Sequence, residues 1–77
     1  MYHVIEFADD FLVDLEVSRK QPLERILVRG GTRLEVQMRP YVVETDGGPV
    51  EVADLFLQDG TTARMVRFEC FSFVEDA

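Results

Sequence analysis

Apolar side chains recur at every second position along most of this chain, and clusters of turn-forming residues interrupt them at short intervals. Val13, Leu15 and Val17 alternate with Asp14 and Glu16, and Leu34, Val36 and Met38 alternate with Glu35, Gln37 and Arg39. Val50 and Val52 flank Glu51. A period of two is the repeat of a strand with one buried face, and no window of a dozen residues keeps the 3.6-residue repeat of a helix. The interruptions are Ala8-Asp9-Asp10, Ser18 to Pro22, Gly30-Gly31, Asp46-Gly47-Gly48 and Asp59-Gly60, all turn chemistry. They predict strands near 2–7, 11–17, 24–29, 33–44, 49–58, 61–68 and 72–75. At 77 residues the chain makes one small domain, 1–77. Short strands joined by tight turns imply an all-β antiparallel meander closing into a barrel, with an OB-like barrel or small β-sandwich as alternatives.

The turns also predict register. A three-residue loop Gly30-Gly31-Thr32 pairs Val28 with Leu34 and Ile26 with Val36, which keeps core opposite core. The other face of that hairpin then sets Arg29 against Arg33, with Arg25 beside them. A loop Asp46 to Gly48 pairs Val42 with Val52 and Val43 with Glu51. Asp59-Gly60 reads as a type I′ turn pairing Phe56 with Ala63. Pro40 has no amide to give a ladder, so it marks a bulge or an edge.

From Gly31 to Glu75 this cadence resembles an SH3-like barrel. A glycine precedes the strand 32–39, and a long hairpin follows. Then come Asp59-Gly60-Thr61, a strand to Phe68, a single helical turn near Glu69 to Phe71, and a short closing strand. The chain lacks tryptophan, so the aromatic peptide-binding face that marks proline-motif SH3 domains is missing.

Charge narrows the function classes. Fifteen acidic residues against eight basic leave −7, a field that repels phosphate backbones and makes nucleic acid an unlikely partner. Residues 19–33 are the exception: Arg19, Lys20, Arg25, Arg29 and Arg33 stand against Glu24 alone, for a local charge of +4. Like charges facing each other destabilise a ladder, so the expected trio Arg25, Arg29 and Arg33 is an anion-facing patch unless neighbouring acids offset it. No apolar run approaches the ~18 residues that span a bilayer, and residues 1–10 have neither the basic nor the apolar region of a secretion leader. One cysteine cannot form an internal disulfide, which points to a reducing cytoplasm.

Chemistry is sparse. His3 and Cys70 are the residues that could form a nucleophile–base pair, but Phe68, Phe71 and Phe73 surround Cys70 in sequence, so an inert buried thiol is expected. The carboxylate pairs Asp9/Asp10, Glu51/Asp54 and Glu75/Asp76 lack an interior in which to split their pKa values. No metal-ligand spacing and no phosphate-binding loop is present, so no catalytic residue, metal site, cofactor or small-molecule substrate is expected. A core this small stabilises by only ~3–5 kcal/mol, which favours a partner or a second copy. One stretch supplies a surface. If Val50 and Val52 face inward, strict alternation turns Leu55 and Leu57 outward, beside Tyr41 and Val43 on the neighbouring strand. A bulge at Ala53-Asp54 would instead bury Leu55. The expectation is a non-enzymatic protein-interaction module or accessory subunit, with a homodimer as one form of it, and with its interface at Tyr41, Val43, Leu55 and Leu57. The alternatives are an anion or nucleic-acid binder using the arginines, or an acidic inhibitor that mimics phosphate charge.

Overall fold

All the expected strands form in the computed structural model, which describes residues 1–74. They are β1 (His3–Phe7), β2 (Phe11–Glu16), β3 (Glu24–Val28), β4 (Arg33–Thr45), β5 (Gly48–Leu57), β6 (Thr62–Arg67) and β7 (Phe71–Phe73). A single 3-10 turn, Phe68–Cys70, stands where one helical turn was expected. Of the predicted strand 72–75 and the pair Glu75/Asp76, residues 75 and 76 lie outside the described residues. Every neighbouring pair of strands is antiparallel, and together they make one seven-stranded sheet, a small barrel-like fold curled into a half-barrel.

The strand order is β3-β2-β6-β5-β4-β1-β7. Consecutive pairing holds for β2–β3 and for β4–β5–β6, while β1 leaves β2 and inserts between β4 and β7. The hairpin expected at Gly30 to Thr32 is therefore not formed. Val28 pairs with Phe11, and Leu34 pairs with Ile5. The intervening segment crosses over the β1–β2 turn, where Gly31 N–H donates to the Phe7 carbonyl (2.7 Å) and Gly30 N–H to Asp10 Oδ1 (2.7 Å). Gly30 is favoured by close contact. A Cβ there would stand 3.0 Å from Asp9 Cα and 3.1 Å from its carbonyl carbon, tighter than most real side-chain contacts, so the β1–β2 turn would have to give way.

Two loops also shift by one residue. The β4–β5 hairpin has a two-residue turn, Asp46-Gly47, so Val42 faces Glu51 and Val43 faces Val50. Glu44 then meets Pro49. At Asp59-Gly60 the loop has three residues. Gly60 takes φ +92° and Leu57 N–H bonds the Thr61 carbonyl at 2.9 Å, so Phe56 pairs with Thr62 rather than Ala63. Pro40 lies in an unbroken β4–β5 register, but β1 covers β4 only from Arg33 to Val36. Its missing amide is thus on an open edge.

Side chains of alternate parity fill the inside of the curl. Ile5, Phe7, Val36, Ala53 and Leu55 are buried there, joined by Val13, Ala63, Val66, Cys70 and Phe71.

Candidate functional site

An apolar groove of about 310 Å³ opens along the inner face beside β3. Its lining includes Leu15, Ile26, Val28, Leu34 and Leu57, with Arg29 at the rim. The groove exists because β3 pairs only with β2. Ile26 and Val28 face inward opposite Val13 and Phe11, yet no further strand covers them, and Ile26 stays 38% exposed.

The expected interface strip is split by the sheet. Met38 faces Leu55 and Val36 faces Leu57, whereas Tyr41 faces Val52 and Val43 faces Val50. Directly opposed residues share a face and β5 stays in register with β4 throughout, so Leu55 and Leu57 point inward while Tyr41 and Val43 point outward. Leu55 is fully buried, and Leu57 packs against the core and lines the groove. A bulge does occur at this level, but on the facing strand. One β5 residue, Asp54, opposes two β6 residues, Arg64 and Met65.

That bulge organises a polar network on the outer face. Asp54 is buried (4% exposed) yet fully partnered. Its Oδ1 accepts from Tyr41 Oη–H at 2.8 Å and from Met65 N–H at 3.1 Å, and its Oδ2 accepts from Arg64 Nη1 at 2.8 Å. Arg64 also donates through Nε and Nη2 to Glu16 Oε2. Burial pushes the Asp54 carboxyl up, but the Met65 amide, the Tyr41 hydroxyl and the Arg64 guanidinium together hold it below the ordinary carboxylate value. Burial, then the bond to Asp54, raises the Tyr41 phenol. Met65 itself takes φ +51°, a left-handed conformation uncommon for such a residue. Its side chains bond one another across four strands, so the network fastens β2, β6, β5 and β4 together.

The arginine ladder is not formed either, because β3 and β4 are not neighbours. Arg25 faces Asp14 on β2 (3.2 Å) and Arg33 faces Glu6 on β1 (2.9 Å), each beside its own carboxylate. Arg29 has no ion-pair partner among the described residues. His3 and Cys70 are not brought together. Cys70 lies by the Phe7-Ala8 end of β1, where its carbonyl accepts from Ala8 N–H at 3.0 Å, and His3 begins the strand about 13 Å away at ~3.3 Å per residue. Burial, then the charge of Glu69, raises the Cys70 thiol, as an inert cysteine requires. Glu51 and Asp54 are on opposite faces of β5, and Asp10 spends its carboxylate on the Gly30 amide. Among the described residues, no three His, Cys, Asp or Glu side chains converge to hold a metal ion, and no helix is long and apolar enough to cross a membrane.

No protein-family model, curated protein or solved structure matches the chain.

Proposed function

We propose that this chain is a non-enzymatic protein-interaction module, or an accessory subunit, that receives apolar side chains of a partner protein in the groove beside β3. One observation carries the reading: Ile26 and Val28 form an inward-facing apolar wall that no strand of the described chain covers. The volume lies at the lower end of the range of specific binding pockets, and its lining is apolar with a single charge at the rim, a composition suited to side-chain capture. Arg25 and Arg33 hold carboxylates of their own, which argues against an anion-binding trio. A reducing cytoplasm suits the single buried thiol.

The test compares the wild-type chain with Ile26→Glu as bait in the source cell. Ile26 is partly exposed, so the variant should keep its β-sheet spectrum while losing a defined partner. The same proteins captured by both baits would refute the groove as the binding surface.

A further inference from the structure

The free edges of the sheet are guarded unequally. β7 has three residues, too few to template another chain, and the overhang of β4 beyond Val36 carries Pro40 together with Arg39 and Glu44. Short strands, prolines and charges are the ordinary defences of an edge. β3 has none of them at its centre. Its register with β2 runs without a bulge from Glu24 to Val28, and Ile26-Leu27-Val28 stands free along the side away from β2. The backbone groups on that side have no strand partner among the described residues, and the same strand forms the wall of the groove. An added strand would therefore gain a ladder of hydrogen bonds and place its inward side chains against Leu34 and Leu57 at once.

Charge says which strand. Arg29 follows β3 directly, and Arg19 and Lys20 lie in the loop that leads to it. None of the three has an ion-pair partner among the described residues, so both ends of the edge carry uncommitted positive charge. A second copy's β3 matches this poorly. Centred on Ile26, an antiparallel β3–β3 pairing puts Arg29 against Leu23 and Glu24 against Val28. Centred on Leu27 it sets Arg25 against Arg29, and centred on Arg25 it sets that residue against itself.

We propose that β3 receives an extended acidic segment of a partner protein as an eighth, antiparallel strand. The segment carries apolar side chains opposite Ile26 and Val28, with an acidic residue opposite the unpaired Arg29. This rests on the groove being the binding surface and adds the ladder and the charge pattern to it.

The probe is a capped peptide, glutamate-valine-threonine-valine-glutamate-lysine, which runs antiparallel from Arg29 to Glu24. Titrated into the 15N-labelled full chain, it should shift the amides of Arg25 to Arg29. N-methylation of one alternate set of peptide amides should weaken binding about tenfold or more, and methylation of the other set should not, because only one set faces β3. Arg29→Glu should weaken binding as well. Equal tolerance of both methylated sets would overturn strand addition and leave groove binding standing. So would decanoate shifting the methyl signals of Ile26, Leu34 and Leu57 while the peptide shifts nothing. If neither ligand binds, both readings fall. A dimer seen by light scattering without peptide, and dissolved by Ile26→Glu, would replace the partner segment with a second copy.

Discussion

Asp54 and Arg64 face each other at the β-bulge of β6, and the guanidinium Nη1 stands 2.8 Å from Asp54 Oδ2. The bulge is what makes the contact complete. An extra residue on β6 turns the Met65 amide toward Asp54 Oδ1, so the carboxylate collects a backbone donor as well as two side-chain donors. A buried carboxylate without such partners would cost several kcal/mol.

Removing the carboxylate should therefore be severe. Asp54→Ala leaves the Met65 amide and the Tyr41 hydroxyl without their acceptor and Arg64 with Glu16 alone, and we expect a loss of about 2–4 kcal/mol. Tyr41→Phe deletes one donor and should cost about 1 kcal/mol. Urea unfolding midpoints measure both, and an Asp54→Ala midpoint equal to wild type would dismiss the network as a stabilising element.

Acid should destabilise the fold through the same group. The folded Asp54 carboxyl lies below its ordinary value of 3.8, so its contribution is present above that value and disappears as pH falls through the folded value. Asp59, held low by the hydroxyl and amide of Thr61, acts in the same direction. Stability measured from pH 6 to pH 2 should fall steeply below about pH 4. The slope should be shallower in Asp54→Asn, and parallel curves would contradict the assignment.

Met65 offers a gain. Its φ of +51° suits asparagine better than methionine, and the residue is 56% exposed, so little burial is at stake. Met65→Asn should leave stability unchanged or raise it by up to about 1 kcal/mol, whereas Met65→Val should lower it by about 1–3 kcal/mol. Thermal melts rank the three proteins, and a valine variant more stable than the asparagine one would deny the strain.

Gly30→Ala probes the crossover. The added methyl collides with Asp9 Cα, a backbone atom that cannot rotate away, and should cost about 1–3 kcal/mol. Gly31→Ala meets no atom but sits at φ +84°, so it should cost about 1 kcal/mol through conformation alone. Similar losses with similar hydrogen-exchange patterns in both would show that the close approach has no special weight.

Parity was legible in this sequence, and partnership was not. Val28 and Leu34 do face inward, as alternation requires, but each has a different neighbour from the one that the two glycines suggested. Alternation reports the face of a strand and says nothing of which strand lies beside it. A glycine pair can serve a crossover as well as a hairpin. The same misplaced hairpin sets Arg29 against Arg33 with Arg25 beside them, whereas Arg25 and Arg33 each face an acid and Arg29 lies past the end of β3. The bulge left a faint trace. Ala63 and Val66 are both buried although three positions apart, a spacing that regular alternation forbids and one inserted residue on β6 restores. The phase conflict around Leu55 had a different origin and is the exception to legible parity: Val50 and Val52 share the outer face with Val43 and Tyr41, so β5 alternates without interruption and Leu55 faces in.

The insertion of β1 between β4 and β7 also sets a timetable. His3 meets Val36, and Ile5 meets Phe73, so β1, made before both of its neighbours, has no partner until β4 has followed, and only one until β7 arrives. The β2–β3 and β4–β5 hairpins can close locally in microseconds, but the step that seats β1 must gather distant parts of the chain. Such non-local closure is slow in small β proteins, and Ile5 and Phe7, the apolar heart of the fold, stay exposed until it happens.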